Sequence, residues 1–182
     1  MDLLAPIKLF FGQFFLKREL KHFYRTQKFY NFKLAESFGI VYEYKNEEEF
    51  KVLEHLIHQL NDDKKKVKVI VYIKDQKLLE YIPQRLTVDY INPKDLDWFG
   101  RPKSPYAKDF MNASFQVLLD LNFKQSFPLS YITSLSKANY KVGLFDIKSK
   151  DRLDMMLKVK SDQGLKYVLR EMFRYLKLIK SR

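Results

Sequence analysis

Three residues stand where chemistry is best supported by position. Asp120, Asn122 and Lys124 follow the apolar run FQVLL, residues 115–119. Such a run reads as a strand covered on both faces, and open parallel sheets bind ligands beyond the C-terminal ends of their strands. A carboxylate there can serve as a base or orient a hydroxyl. The structural alternative is an acid that caps a loop or a helix start. The same rule picks out Asp75 and Asp146. A second candidate is the loop DWFGRPKSPY, residues 97–106, with the only tryptophan, Trp98, close to Arg101 and Lys103. An aromatic ring among cations can stack a base or grip a phosphate. Alternatively, Trp98 and Phe99 plug the sheet edge while Gly100 makes the turn.

Other chemistries lack their residues. The three histidines are His22, His55 and His58. His55 and His58 lie three apart on a helix, away from its apolar face and without a third ligand at matching spacing. They read as surface residues, and no metal is expected. With no cysteine, disulfides, thiolate zinc sites, iron–sulfur clusters and thiol nucleophiles are excluded. There are five glycines, and neither G-x-G-x-x-G, G-x-x-x-x-G-K-[ST] nor G-x-S-x-G occurs. No cofactor is expected.

The formal net charge of +12 is segregated. Residues 1–34 carry seven Lys/Arg against two acids, residues 35–147 carry sixteen of each, and residues 148–182 carry eleven against four. The excess therefore lies in the two terminal segments. If they pack side by side, Lys17, Arg18, Lys21 and Arg25 join Lys166, Arg170, Arg174 and Lys177 in one basic face. Such a field attracts RNA, an anionic membrane surface or an acidic protein; a merely solubilising surface is the plain alternative. The apolar N-terminus has Asp2 at its start, Lys8 within it and no small-residue cleavage site, so neither a signal peptide nor a membrane span is expected. A cytoplasmic location follows, with peripheral contact at the inner membrane face left open. Oligomeric state is not legible.

These residues need a scaffold. Leu3, Ile7, Phe10 and Phe14 recur at helical spacing, predicting an amphipathic helix over 3–25 whose phenylalanines pack on the core. A linker over 26–36 leads into an α/β domain at 35–182. Strands are expected at 38–44, 67–73, 86–91, 114–121, 140–145 and 153–159. Helices are expected at 47–60, 76–82, 128–136 and 162–180, and residues 92–108 read as irregular. In the last helix Lys166, Arg170, Arg174 and Lys177 lie within about a third of the circumference at ~100° per residue, opposite an apolar face. Alternating strands and helices predict a single Rossmann-like, mostly parallel sheet of five or six strands flanked by helices.

Two resemblances add to this reading. Phe115-Gln116-Val117-Leu118-Leu119-Asp120-Leu121, followed by Ser136-Lys137-Ala138-Asn139-Tyr140-Lys141-Val142-Gly143, resembles the N-terminal Rossmann-like half of heptosyltransferase-like glycosyltransferases. The likeness spans about thirty residues and implies a local strand–helix–strand unit. The second domain, which binds the nucleotide sugar in those enzymes, has no room here. The whole chain is similar to a family of small bacterial proteins without an established activity. The shared features are the strand near residue 40, the Trp98-Phe99-Gly100 loop and the segment from Ser136 to Gly143. The leading expectation is a non-enzymatic binding or accessory domain with a basic face. The alternative is an enzyme of sugar or nucleotide-sugar metabolism, a degenerate transferase half with Asp120, Asn122 and Lys124 at its site.

Overall fold

The computed structural model describes residues 4–82, 86–124, 126–147, 150–160 and 163–180. Six strands form one sheet in the order β3-β2-β1-β4-β5-β6, and every neighbouring pair is parallel. They are β1 (Ser37–Glu43), β2 (Lys66–Tyr72), β3 (Val88–Ile91), β4 (Val117–Asp120), β5 (Tyr140–Leu144) and β6 (Met155–Leu157). The expected Rossmann-like α/β fold is therefore present. The chain leaves β1 towards one edge and returns through β4 to build the other, so β1 and β4 flank the point where strand order reverses.

Helices cover both faces of the sheet. The helix α2 (Glu47–Asp62) starts where the side chain of Asn46 accepts a hydrogen bond from the Glu49 amide at 2.8 Å. It buries Phe50, Leu53, Leu56, Ile57 and Leu60 against Ile40, Val69 and Leu119. On the same side lies α5 (Leu165–Leu178), burying Leu165, Val168, Leu169, Met172 and Leu176. The opposite face carries α3 (Pro105–Asn112) and α4 (Phe127–Leu135). There Phe110, Leu129 and Ile132 pack on Val41, Ile70 and Leu118. Strands covered on both sides have no polar face, which is why they read as continuous apolar runs.

A third layer comes from the N-terminus. The helix α1 (Ala5–Leu20) carries Pro6 in its first turn and lies on α4. Gly12 permits this approach, because a Cβ there would stand 2.5 Å from the Phe99 carbonyl and 2.8 Å from the Phe127 ring. Residues 21–36 then wrap past the start of β5 to the α5 side. Lys28 N–H donates to the Asn139 carbonyl at 3.3 Å, and Phe32 N–H to the Leu176 carbonyl at 3.1 Å. The Asn31 amide donates to the Lys177 and Ile179 carbonyls at 2.8 and 2.7 Å, satisfying the end of α5.

Several boundaries differ from expectation. The stretch read as irregular contains α3, whose N-cap Ser104 accepts from the Ala107 amide at 3.3 Å and precedes a first-turn proline. The expected helix over 76–82 is a 3-10 turn, Gln76–Glu80, capped by Asp75. Strands β3, β4 and β6 are shorter than the runs that announced them. The largest correction concerns α1, whose Leu4, Ile7, Phe10, Phe11 and Phe14 are exposed instead of joining the core.

Candidate functional site

The rim at the C-terminal ends of β1 and β4 holds the first candidate trio. Asp120 and Asn122 are buried, and Lys124 is exposed. Asn122 Nδ2 donates to Asp120 Oδ1 at 2.7 Å and to the Val41 carbonyl at 3.2 Å. Its Oδ1 accepts from the Glu43 amide at 2.7 Å. The Thr133 hydroxyl donates to Asp120 Oδ2 at 3.1 Å. One carboxylate and one amide thus tie β1, β4 and α4 together. The structure brings Asp120 and Asn122 into contact but spends their polar atoms on the protein itself, and it leaves Lys124 outside the knot.

Lys124 borders a cleft of about 560 Å³ that also touches Glu43, Lys45, Glu49, Phe145 and Gln163. This cleft lies at the strand ends where an open α/β sheet takes ligands. Its charges are already paired in part: Lys45 Nζ sits 3.3 Å from Glu49 and 4.3 Å from the centre of the Phe123 ring. Tyr42 donates to Glu49 Oε2 at 3.1 Å, and burial with this acidic neighbour pushes its phenol far up. The N-terminus of α2 adjoins the rim, but Asn46 and the acids Glu47, Glu48 and Glu49 occupy it. That arrangement opposes a phosphate where a dinucleotide fold would seat one.

The aromatic loop turns at Gly100, as one reading expected, and its Phe99 faces α1. Phe99 packs on Phe11 and Phe15 of α1, with ring centres at 6.0 and 4.9 Å. Gly100 takes a positive φ of 79° to turn the chain back. Arg101 is held by Asp97 at 2.7 Å and Glu19 at 3.5 Å, and it stacks on Phe15. The loop is thus the seat of α1, and Arg101 is part of that seat. Lys103 and Trp98 stay exposed, and Lys8 lies 5.5 Å from the Trp98 ring centre.

The eight cations expected to form one face are divided. Arg25 is half-buried and engaged: it donates to the Asn139 carbonyl at 2.9 Å and pairs with Asp154 at 2.5 Å. Lys17, Arg18 and Lys21 belong to the α1 end, on the α4 side of the sheet. Lys166, Arg170, Arg174 and Lys177 are exposed on α5, on the α2 side. Among the described residues the terminal segments meet at Asp154, which pairs with Arg25 and accepts from Gln27, and at the end of α5, where Lys177 lies 5.6 Å from the Phe32 ring centre. Two basic surfaces therefore replace the single one, because α1 and α5 cover opposite faces. On α5 only Glu171 relieves the charge, pairing with Arg170 at 3.5 Å and Arg174 at 3.2 Å. Tyr167 and Tyr175 lie under Arg170 and Arg174.

Some groups escaped the reading of the residues. Lys141, within the apolar run of β5, is almost fully buried and donates to the Ser134 carbonyl at 2.9 Å. Burial, helped by the Arg25 charge, lowers its ammonium pKa to about 7. Tyr131 donates to Glu19 at 2.6 Å and locks α1 to α4. A lysine inside an otherwise apolar strand was the available signal for the first; the second pairs residues far apart in sequence and had none. His55 and His58 are exposed as expected. Among the described residues no three His, Asp or Glu side chains gather to hold a metal.

The family relationship is settled by sequence. A family model covers residues 8–179, nearly the whole chain. The chain belongs to DUF6913, a family of unknown function. This agrees with the expected kinship to proteins without an established activity. No curated protein and no solved structure matches the chain. The expected likeness to heptosyltransferase-like glycosyltransferases is not shown by these comparisons.

Proposed function

We propose that this DUF6913 protein is a binding or accessory module, cytoplasmic and non-catalytic, that meets an anionic macromolecule through its basic surfaces. The observation that carries the proposal is the α5 stripe: four exposed cations on one side of a helix, with Glu171 as their only acidic companion on it. A solubilising surface mixes signs evenly, whereas this stripe sets four cations against one acid over about three turns. The guanidinium groups over Tyr167 and Tyr175 add flat, charged contacts suited to phosphates or carboxylates. Reversing Lys166, Arg170, Arg174 and Lys177 to Glu is expected to weaken association with labelled RNA and with acidic vesicles at low salt, while leaving the fold intact by circular dichroism. Undiminished binding to both probes by this variant would refute the α5 surface as the contact.

A second reading has one observation in its favour, the cleft beside Lys124 at the strand ends. In that reading the protein takes a small ligand, such as a nucleotide sugar, with Lys124 and Lys45 facing its anionic part. Saturable stabilisation by a nucleotide sugar, lost in Lys124→Ala, would support it. No thermal shift across a nucleotide-sugar panel would count against it.

A further inference from the structure

The outer side of α1 carries a graded stripe. Leu4, Ile7, Phe11, Phe14, Arg18 and Lys21 follow one another at steps of three and four residues, so they stand in one row along the helix. Phe10 and Lys17 flank this row, seven residues apart. The row is apolar from Leu4 to Phe14, about 15 Å of helix, and cationic over the next turn. Phe10 is 67% exposed and Phe14 55% exposed. The inner side is committed: Gly12 abuts Phe99 and Phe127, Phe15 packs on Phe99, and Glu19 receives Tyr131. The helix is thus fastened along its length with Phe10 and Phe14 facing out and Phe11 at the margin, exposed on one side and touching Phe99 on the other.

We infer that this row is a membrane-contact surface, which lays α1 flat on a bilayer bearing anionic lipid. The inference rests on the reading of the protein as a binder of anionic partners and names the lipid surface as one of them. The chemistry of the row selects the occupant. Apolar side chains enter the boundary between headgroups and acyl chains, while Lys17, Arg18 and Lys21 meet lipid phosphates at the same depth. RNA would find cations and phenylalanine rings here, but the aliphatic Leu4 and Ile7 that extend the row give its bases nothing to stack on and suit acyl chains instead. A second copy fits poorly. Antiparallel pairing would press each basic end onto the other copy's apolar end, and parallel pairing would set cations against cations. No helix among the described residues is long and apolar enough to cross a membrane, so the contact is peripheral.

The test is co-sedimentation of the full chain with vesicles of phosphatidylcholine alone and of phosphatidylcholine mixed with phosphatidylglycerol. Two variants accompany it, F10S/F14S and K17E/R18E/K21E. All five positions are exposed, so both variants should keep the native circular dichroism. Wild type is expected to pellet with the mixed vesicles only, and each variant to lose affinity by about tenfold or more. Labelled RNA is titrated in parallel. Wild-type binding to RNA together with vesicle binding unchanged in F10S/F14S would overturn the inference while leaving the broader reading standing. Binding to neither probe would overturn both. A wild-type dimer in solution that F10S/F14S converts to monomer would also overturn it, assigning the row to a second copy.

Discussion

The strand-end rim and the outer face of α1 exchange the roles that their residue types suggest. At the rim an acid and an amide, the types that do chemistry, are buried and bonded to the backbone and to Thr133. On α1 phenylalanines, the type that builds cores, face outward. A buried polar group must find partners inside the protein, and Asp120 has found them in Asn122 and Thr133, so it holds the sheet. An exposed apolar row has no such internal account, and contiguous patches of this kind mark interaction sites. Satisfaction, more than residue type, separates scaffold from surface here.

The sharpest way to break the contrast is Asp120→Ala. It leaves the Asn122 amide and the Thr133 hydroxyl without their acceptor in a closed site, at a cost of about 3 kcal/mol. Urea unfolding should show this as a lower midpoint; an unchanged midpoint would mean that Asp120 is spare and open to a ligand role. Next comes Gly12→Val, which drives methyl groups into the Phe99 carbonyl and the Phe127 ring. It should cost about 2 kcal/mol and loosen α1, seen as faster amide exchange over residues 5–20. Unaltered exchange would deny that Gly12 seats the helix.

Per pH unit, a smaller effect concerns Lys141. Its ammonium pKa is about 7 in the folded chain and 10.5 in the unfolded one. Between these values the unfolded chain binds the extra proton, so this group makes stability rise with pH, on the order of 1 kcal/mol per unit. Above pH 10 the raised Tyr140 phenol, pushed to about 12 by burial and the nearby Asp154, acts oppositely. Denaturant melts from pH 7 to 10 should show the rise in wild type and not in Lys141→Met. A slope common to both proteins would contradict the assignment. The smallest effect belongs to Phe10→Ser with Phe14→Ser, expected to change stability by no more than about 0.5 kcal/mol. A large loss of stability would return these rings to the core.

The strands were legible because two-sided burial writes them as apolar runs, and the helices between strands implied their parallel order. The third helix, α3, was hidden: its Ser104-Pro105 start sits among Pro102, Gly100 and Pro93, which drew attention to turns instead of to a cap. The direction that α1 faces was not legible at all. Both sides of that helix carry phenylalanines, and periodicity cannot tell which side meets the body. What decides is the fit of Gly12 under Phe99 and the bond between Tyr131 and Glu19, contacts between residues about 90 or more apart. The candidate trio was rightly located at a strand end. Its role there depended on Thr133 and the β1 backbone, which no local spacing announces.

Trp98 offers the most direct measurement. It is the only tryptophan, it is half exposed, and Lys8 of α1 lies against its ring. If the α1 row settles on an anionic bilayer, Trp98 beside it enters the interface. Its emission should then shift to shorter wavelength when phosphatidylglycerol-containing vesicles are added, and stay unchanged with phosphatidylcholine alone. An emission spectrum indifferent to both kinds of vesicle would contradict the account.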